Sequence, residues 1–341
     1  MAKNKKLVTS DWTPEKRLDK QLLYYLLFTF LISWPPMIWS SISHLNAKAF
    51  VPVMVAPFIA LLIAGRLTHH TKTGRKWDLE GSGILWDPQV IKNKKWYLWA
   101  WLVPIAFCLG GALLYFLIFP GNFSLDIMGI YAKVKKMSLG TFILQDTLIT
   151  LTLSVIAGVM PVMAEELGWR GYMMPRLTEK FGVIKALFLG AGICSVWEWP
   201  MLLIQWHAVP TFVKSFSGQN MKTFSGYLYG VEYPGAPWTG LIAMTIYAFA
   251  LSVVLWWLYC KTKSIWPSVL AHGAFSTVGM HALSFRNVLT VKNWLLGPSL
   301  PGLIGVIPLL SFAIYLVVKR RDEMDMSLNI LECPIEVTEE A

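Results

Sequence analysis

Long apolar stretches recur along the whole chain and are separated by short polar segments. An apolar run of about 18 or more residues crosses a bilayer as an α-helix, because the helix satisfies its own backbone hydrogen bonds. The pattern therefore predicts an all-α, polytopic membrane protein with about eight transmembrane helices. The predicted spans lie near residues 21–42, 49–66, 97–119, 141–163, 183–206, 238–260, 264–285 and 298–318.

Composition narrows the class of protein further. Of the 341 residues, 55% are hydrophobic and only 15% are charged, whereas soluble domains carry about 25% charged residues. An ordinary soluble enzyme is therefore excluded. In a soluble protein the net charge of +10 would suggest nucleic acid as a partner. Here the basic residues lie between apolar runs, so we expect the lipid bilayer as a partner and no nucleic acid.

The distribution of basic residues predicts how the spans are oriented. With a cytoplasmic N-terminus, the cytoplasmic segments hold 22 of the 30 Lys and Arg residues and the outer loops hold 8. Cytoplasmic loops of membrane proteins are enriched in these two residues. Both termini are therefore predicted to be cytoplasmic, in a multi-pass protein of the cell membrane.

The same pattern divides the chain into five parts. The last part holds 7 of the 20 acidic residues and is predicted to be a solvated tail. The parts are a cytoplasmic N-terminal segment (1–20), N-terminal transmembrane helices (21–140), a core with polar interruptions (141–285), a final transmembrane helix (286–321) and an acidic cytoplasmic tail (322–341).

Four acidic residues fall within or at the ends of apolar spans, namely Asp146, Glu165, Glu166 and Glu198. A carboxylate in the hydrocarbon layer is costly, so it usually faces the protein interior, pairs with a partner or carries function. On a helix, Glu166 and Arg170 are four residues apart and can form an ion pair. Glu165 points about 100° away from Glu166. Glu165 is then either an unpaired candidate general base or a spare solvated carboxylate at a salt-bridged helix end.

Two strings in the core carry a family resemblance. EELGWRGYMMPRL begins at Glu165, and SIWPSVLAHGAFS contains His272 followed four residues later by Ser276. They resemble the first motif, EExxxR, and the last motif of the CPBP family, which includes type II CAAX prenyl endopeptidases and bacterial bacteriocin-processing and immunity proteins. The resemblance implies that Glu165 is the general base and that Glu166 with Arg170 forms an orienting pair. It also implies that His272 and Ser276 form the polarising side of the site.

The middle motif departs from the family pattern. The family places a His in an FxxxH or WHxP-like segment of the following span. The matching stretch here, GAGICSVWEWPMLL, has Cys194 where the Phe would stand and Glu198 where the His would stand. Replacing His by Glu removes a potential donor to the oxyanion of peptide hydrolysis and adds a negative charge.

Three outcomes of this substitution are open. A divalent metal, with zinc as the first candidate, could be held by Glu165, Glu198 and His272 and activate a bound water. Alternatively, Glu198 is protonated and acts as a neutral donor, since two like charges in one site cannot both ionise cheaply. Otherwise the protein is an inactive relative that uses its cavity for binding.

The leading hypothesis is an intramembrane endopeptidase that resembles CAAX prenyl proteases, in a bacterial plasma membrane. It would hydrolyse a membrane-associated substrate, such as a lipidated or bacteriocin-like peptide, with a Glu-activated water. The enzyme would be a metalloprotease or a glutamate-dependent protease. Two alternatives are a catalytically inactive relative that binds or scaffolds a membrane partner, and a small-solute or proton transporter with Glu165, Glu198 and His272 as a relay.

The hypothesis also predicts the path of the helix that carries the first motif. Residues 141–179 would span about 58 Å as one straight helix, which is too long for a single crossing. We therefore predict a bend near Gly158 and Pro161, with Glu165 inside the bilayer, and a helix end near Phe181 and Gly182. Glu165 and His272 must then lie on one cavity, because both act on the same water or metal.

Overall fold

The regular secondary structure of the protein is helical. A computed structural model describes residues 13–42, 50–68, 90–156, 159–216, 237–287 and 294–325. These ranges contain no β-strand, and an isolated antiparallel bridge joins Phe123 to Arg286. The all-α prediction is confirmed. The helices are α1 (Pro14–Ile42), α2 (Phe50–Thr68), α3 (Val90–Ile118), α4 (Asp126–Val134), α5 (Leu139–Ile156), α6 (Val159–Gly168), α7 (Met174–Phe181), α8 (Val183–Phe216), α9 (Pro237–Thr262), α10 (Ile265–His281) and α11 (Ile307–Lys319).

Several of these helices have the length and apolar character of membrane spans. Among the described residues, four helices are long and apolar enough to cross a bilayer, and two further apolar helices are shorter. The fold is therefore that of a multi-pass membrane protein, while the number of eight spans and the cytoplasmic termini stay predictions. The four segments are Glu15–Trp39, Lys94–Ile118, Leu139–Ile156 and Thr239–Thr262, and the two shorter ones are Val53–Thr68 and Ile307–Lys319.

The segment that carries the first motif consists of two successive helices. α5 ends at Ile156 and α6 begins at Val159. The bend that the sequence predicts at Gly158 falls on residues 157 and 158, which lie between these helices and outside the described ranges. Glu165 lies in α6, and the bend itself stays a prediction.

Beyond Gly168 the chain makes a single π-helical turn, Trp169–Met173, and continues as α7 to Phe181. Gly182 then adopts a φ of 75°, a conformation that glycine takes without steric cost. Its N–H donates to the carbonyl of Thr178 and closes the last turn. The predicted helix end at Gly182 is confirmed.

The final helix is shorter than the sequence predicts. The expected span over 298–318 begins as a helix only at Ile307, and residues 297–306 form turns. The prediction of a helix across Pro298 and Pro301 is wrong, because proline has no N–H to donate and its ring obstructs the preceding turn.

These turns pack closely against α3. A Cβ atom on Gly111 would overlap the carbonyl oxygen of Gly305, so the two backbones can meet only because Gly111 has no side chain. Leu300 likewise covers Gly279 of α10. The turns therefore contribute to the packed core between α3 and α10.

α6 lies between α2 and α10 at the centre of the described helices. A Cβ on Gly168 would overlap Pro57 of α2 and lie 2.6 Å from the hydroxyl of Tyr25 on α1. The next residue, Trp169, is buried and packs edge-on against Tyr25 and Trp197, with ring centroids 5.9 and 5.6 Å away. Apolar contacts on several sides therefore set the position of the first motif.

α9 forms the other buried wall of the protein. Its apolar window is 61% buried, compared with 28% or less in the other three long helices. At its C-terminal end, Trp256 Nε1 donates to the carbonyl of Met324 at 2.9 Å, and Trp257 Nε1 donates to Glu323 at 2.8 Å. The short turn Arg321–Met324 thereby fastens the end of α11 to α9.

Glu323 allows a test of this fastening. The hydrogen bond from Trp257 and the ammonium of Lys261, 2.9 Å away, hold the pKa of Glu323 below its ordinary value of 4.5. A carboxyl group with a lowered pKa stabilises the fold above its ordinary pKa and loses that contribution as the pH falls through the lowered value. We expect Glu323→Gln to lower the thermal unfolding midpoint at neutral pH and the difference from wild type to shrink below pH 4.5. Asp322→Asn, at an exposed neighbour, is the control, and a pH-independent difference would contradict the assignment.

Candidate active site

A buried charge network joins α6 to α10. Glu166 is fully buried, and its Oε1 accepts a hydrogen bond from Arg170 Nη1 at 2.7 Å. The same oxygen lies 2.8 Å from Nδ1 of His272. Arg170, in the π-helical turn, is only 3% exposed. The ion pair that the spacing predicts therefore forms, and it reaches the residue of the last motif as well.

This network determines which ring nitrogen of His272 binds Glu166 and which one stays available to a ligand. Glu166 is the acidic partner of an ion pair, so we assign the proton to Nδ1, which donates to the carboxylate. Nε2 has no hydrogen-bond partner among the described residues. A carboxylate that holds one imidazole nitrogen orients the other toward its ligand.

A cavity of about 60 Å³ lies beside the network, between the π-helical turn and α6, α8, α9 and α10. It can hold a few ordered water molecules. One part of its wall is polar and the remainder is aromatic or aliphatic. The polar lining residues are Glu165, Arg170, Glu198, Ser252 and His272, and the others are Trp169, Cys194, Trp197, Met244, Tyr247, Ala248 and Leu251.

Glu165 is the carboxylate of the first motif that faces this cavity. It is 6% exposed and makes no hydrogen bond to another described residue. Glu166, one residue later, points about 100° away and binds Arg170 and His272. Glu166 is therefore the paired carboxylate of the first motif, and Glu165 is the unpaired one. Glu165 and His272 line the same cavity.

α8 brings the altered middle motif to the same cavity. Glu198 is half-buried and lines the cavity together with Cys194, one turn earlier. The helix is held in register by Trp197 Nε1, which donates to Ser33 of α1 at 2.9 Å, and by Ser195, whose hydroxyl lies 2.7 Å from that of Thr245 on α9. A second carboxyl group therefore faces Glu165 where the family pattern has an imidazole.

Ser276 lies elsewhere. It follows His272 by one turn of α10 and is half-buried, but it is not among the described residues that line the cavity. His272 is thus the residue of the last motif that reaches the cavity, and a polarising role for Ser276 stays a prediction.

The predicted metal ligands share the cavity without forming a ligand set. Among the described residues, no group of three His, Cys, Asp or Glu side chains could hold a metal ion. Ligands of a structural or catalytic zinc must converge to about 2.0–2.2 Å from the ion. Glu165, Glu198 and His272 line one cavity without forming such a ligand set, and a metal site at these residues stays a prediction.

Two residues of α9 line the cavity and are absent from the sequence prediction. Ser252 is buried, and its hydroxyl accepts a hydrogen bond from Arg170 Nη2 at 3.3 Å. Tyr247 lines the cavity a little more than one turn earlier. The available signal was weak, since a single serine or tyrosine in an apolar span is usually a helix-packing residue.

Asp146, the remaining acid of the apolar spans, belongs to a different cluster. Its Oδ2 lies 3.6 Å from Nδ1 of His281. The hydroxyls of Thr147 and Thr150 approach the same ring at 3.5 and 3.4 Å. These residues join α5 to α10, which is the interhelical role expected of most polar residues in membrane helices.

Removing Arg170 should cost far more stability than removing an exposed arginine of similar geometry. Arg170→Met leaves the carboxylate of Glu166 buried without its cation, which typically costs about 3–5 kcal/mol. Arg320→Met is the matched control, because Arg320 pairs with Glu323 at 3.0 Å but is 52% exposed, and exposed pairs contribute about 0–1 kcal/mol. Denaturant unfolding of both variants in detergent micelles tests this expectation, and equal losses would contradict it.

Comparison with known protein families matches the region that carries this site. Residues 146–278 match the family of type II CAAX prenyl endopeptidases described as Rce1-like. No curated protein and no solved structure matches the chain. The matched region contains Glu165, Glu166, Arg170 and His272, together with the altered position Glu198. Residues 146–278 are therefore similar to the Rce1-like type II CAAX prenyl endopeptidases, which supports the resemblance that the CPBP motifs carry.

Proposed function

We propose that the protein is an intramembrane endopeptidase that hydrolyses a peptide bond with a water activated by Glu165. The observation that supports this most directly is the convergence of Glu165, Glu198 and His272 on one small cavity beside the Glu166–Arg170 pair. The family match supports a peptidase in general. The arrangement of side chains supplies the particular mechanism.

The nucleophile is a water molecule held between Glu165 and His272. Glu165 is buried, lines the cavity and is unpaired, so its carboxylate can accept one proton of the water. In the neutral ring Nε2 carries a lone pair, because Nδ1 donates to Glu166. Nε2 accepts a hydrogen bond from the second water proton and orients the oxygen toward the carbonyl carbon of the substrate.

Glu198 is the second acid of a carboxyl pair in this proposal. When Glu165 is ionised, repulsion between like charges in the same cavity keeps Glu198 protonated, as in other paired-carboxyl sites. Its O–H donates to the carbonyl oxygen as that oxygen becomes negative in the tetrahedral intermediate. The carboxyl group thereby supplies the donor that the family His would supply.

Collapse of the intermediate balances the proton transfers. The C–N bond breaks, and the proton that Glu165 took from water passes to the leaving amine. The products are a new carboxyl terminus and a new amino terminus, and both glutamates return to their starting states. No step of this sequence requires a metal ion.

The surroundings of the site favour a membrane-associated substrate. The cavity is enclosed by apolar helices, and its non-polar wall includes Trp169, Trp197 and Leu251. At about 60 Å³ it has room for water and the scissile peptide group but not for a large side chain. We propose a lipidated or bacteriocin-like peptide in a cell membrane as the substrate, reaching the site from the bilayer.

Loss of the base or of the orienting imidazole should abolish cleavage. We expect Glu165→Gln and His272→Ala to lower kcat by about 10²–10⁴-fold, which is the usual contribution of a positioned proton-transfer group. Asp146→Asn, in the separate cluster on α5, is the control and should retain activity. The measurement is cleavage of a membrane peptide by protein reconstituted in liposomes. Normal cleavage by both site variants would refute the proposed function and would favour binding or transport.

Position 198 distinguishes a neutral donor from a charged group. The amide of Glu198→Gln still donates a hydrogen bond, so we expect its kcat to stay within about tenfold of wild type, whereas Glu198→Ala should lose about 10²–10³-fold. The Gln variant should also keep its activity at alkaline pH, where the wild type loses the proton that Glu198 carries. Equal losses in both variants would exclude the neutral-donor role.

The same preparations test the metal prediction. In the carboxyl-pair mechanism, a chelator leaves wild-type cleavage unchanged and purified protein holds no stoichiometric zinc. Glu198→His, which restores the family residue, is the comparison for metal content. Cleavage that stops on chelation and returns with zinc would replace the carboxyl-pair mechanism by a metal-assisted one.

A further inference from the structure

Arg170 is held at two points on two different helices. Nη1 donates to Glu166 at 2.7 Å within its own helical segment, and Nη2 donates to the hydroxyl of Ser252 on α9 at 3.3 Å. Its Nε is buried and has no hydrogen-bond partner among the described residues. The hydrogen bond to Ser252 is therefore the contact that holds Nη2 of the guanidinium in place.

Two other carboxyl groups compete for this cation. Arg170 lines the same cavity as Glu165 and Glu198. A guanidinium and a carboxylate attract strongly where water is scarce, and Arg can bind a carboxylate with two of its nitrogens at once. An Arg170 that turned into the cavity would pair with Glu165 and occupy the lone pairs that must accept the proton of water.

We propose that Ser252 is a positioning residue that keeps Arg170 on Glu166 and away from Glu165. The inference rests on the proposed function of Glu165 as the base. Ser252 is suited to this role because it is 3% exposed, lies on the cavity wall and belongs to the most buried long helix. Its short side chain can shift little, so its oxygen marks a defined point for Nη2.

This role makes a prediction for catalysis. Ser252→Ala should lower kcat by about tenfold or more with KM nearly unchanged, because the variant releases Arg170 to pair with the base and removes no contact with the substrate. Ser252→Thr keeps the hydroxyl and should restore most of the rate. Ser268→Ala is the matched control, since Ser268 is equally buried but donates to the backbone carbonyl of Leu255 and does not line the cavity.

A second measurement does not depend on activity. If Arg170 pairs with the cavity acids once Ser252 is lost, that new pair compensates part of the lost stability. Ser252→Ala should then lower the thermal unfolding midpoint more in a Glu165→Gln, Glu198→Gln background than in the wild-type background. Ser268→Ala should lower it equally in both. Such coupling between side chains that make no hydrogen bond to each other is measured by a double-mutant cycle.

The outcomes separate this inference from the proposed function. A Ser252→Ala variant with normal kcat, or a Thr variant that restores nothing, overturns the positioning role while leaving Glu165 as the base. Additive effects in the unfolding cycle overturn it as well. Full activity of Glu165→Gln refutes the proposed function instead, and in that case coupling in the unfolding cycle still supports the restraint on Arg170.

Discussion

The site depends on one buried carboxylate. Glu166 is fully buried and uses a single oxygen to hold both Arg170 and Nδ1 of His272. An uncompensated charge at this position would be costly, so the fold is stable only when α6 and α10 bring their partners together. The same contact orients the imidazole, and the interaction that joins the two helices therefore also arranges the candidate catalytic groups.

Packing around the first motif explains why this carboxylate can be buried. Gly168 lets α6 approach Pro57 and Tyr25 closely, and Trp169 fills the space beside it. The π-helical turn follows at once and carries Arg170. Such turns often occur at functional sites, where one extra residue in a turn redirects side chains. Here apolar packing provides the rigid support, and the polar groups lie on its inner surface.

Local features of the sequence predicted the parts of the site that depend on helical spacing. The Glu166–Arg170 pair follows from an interval of four residues, and the helix end at Gly182 follows from the tolerance of glycine for positive φ. The expectation of a helix from residue 298 was wrong, because hydropathy does not register that Pro298 and Pro301 cannot continue a helix. Ser252 was missed because an isolated serine in an apolar span carries no pattern.

By itself, the sequence determined that this protein lies in a lipid bilayer and which residues are candidates for its site. Scarce charge and long apolar runs require a membrane, and the few acids left within those runs must be paired or functional. The tertiary structure decided which of them meet. Glu198 lines the same cavity as Glu165, Ser276 is not among the described residues that line it, and Ser252 binds Arg170 from a position 82 residues away in sequence. Contacts between distant segments arise from how whole helices pack, and no local spacing records that packing.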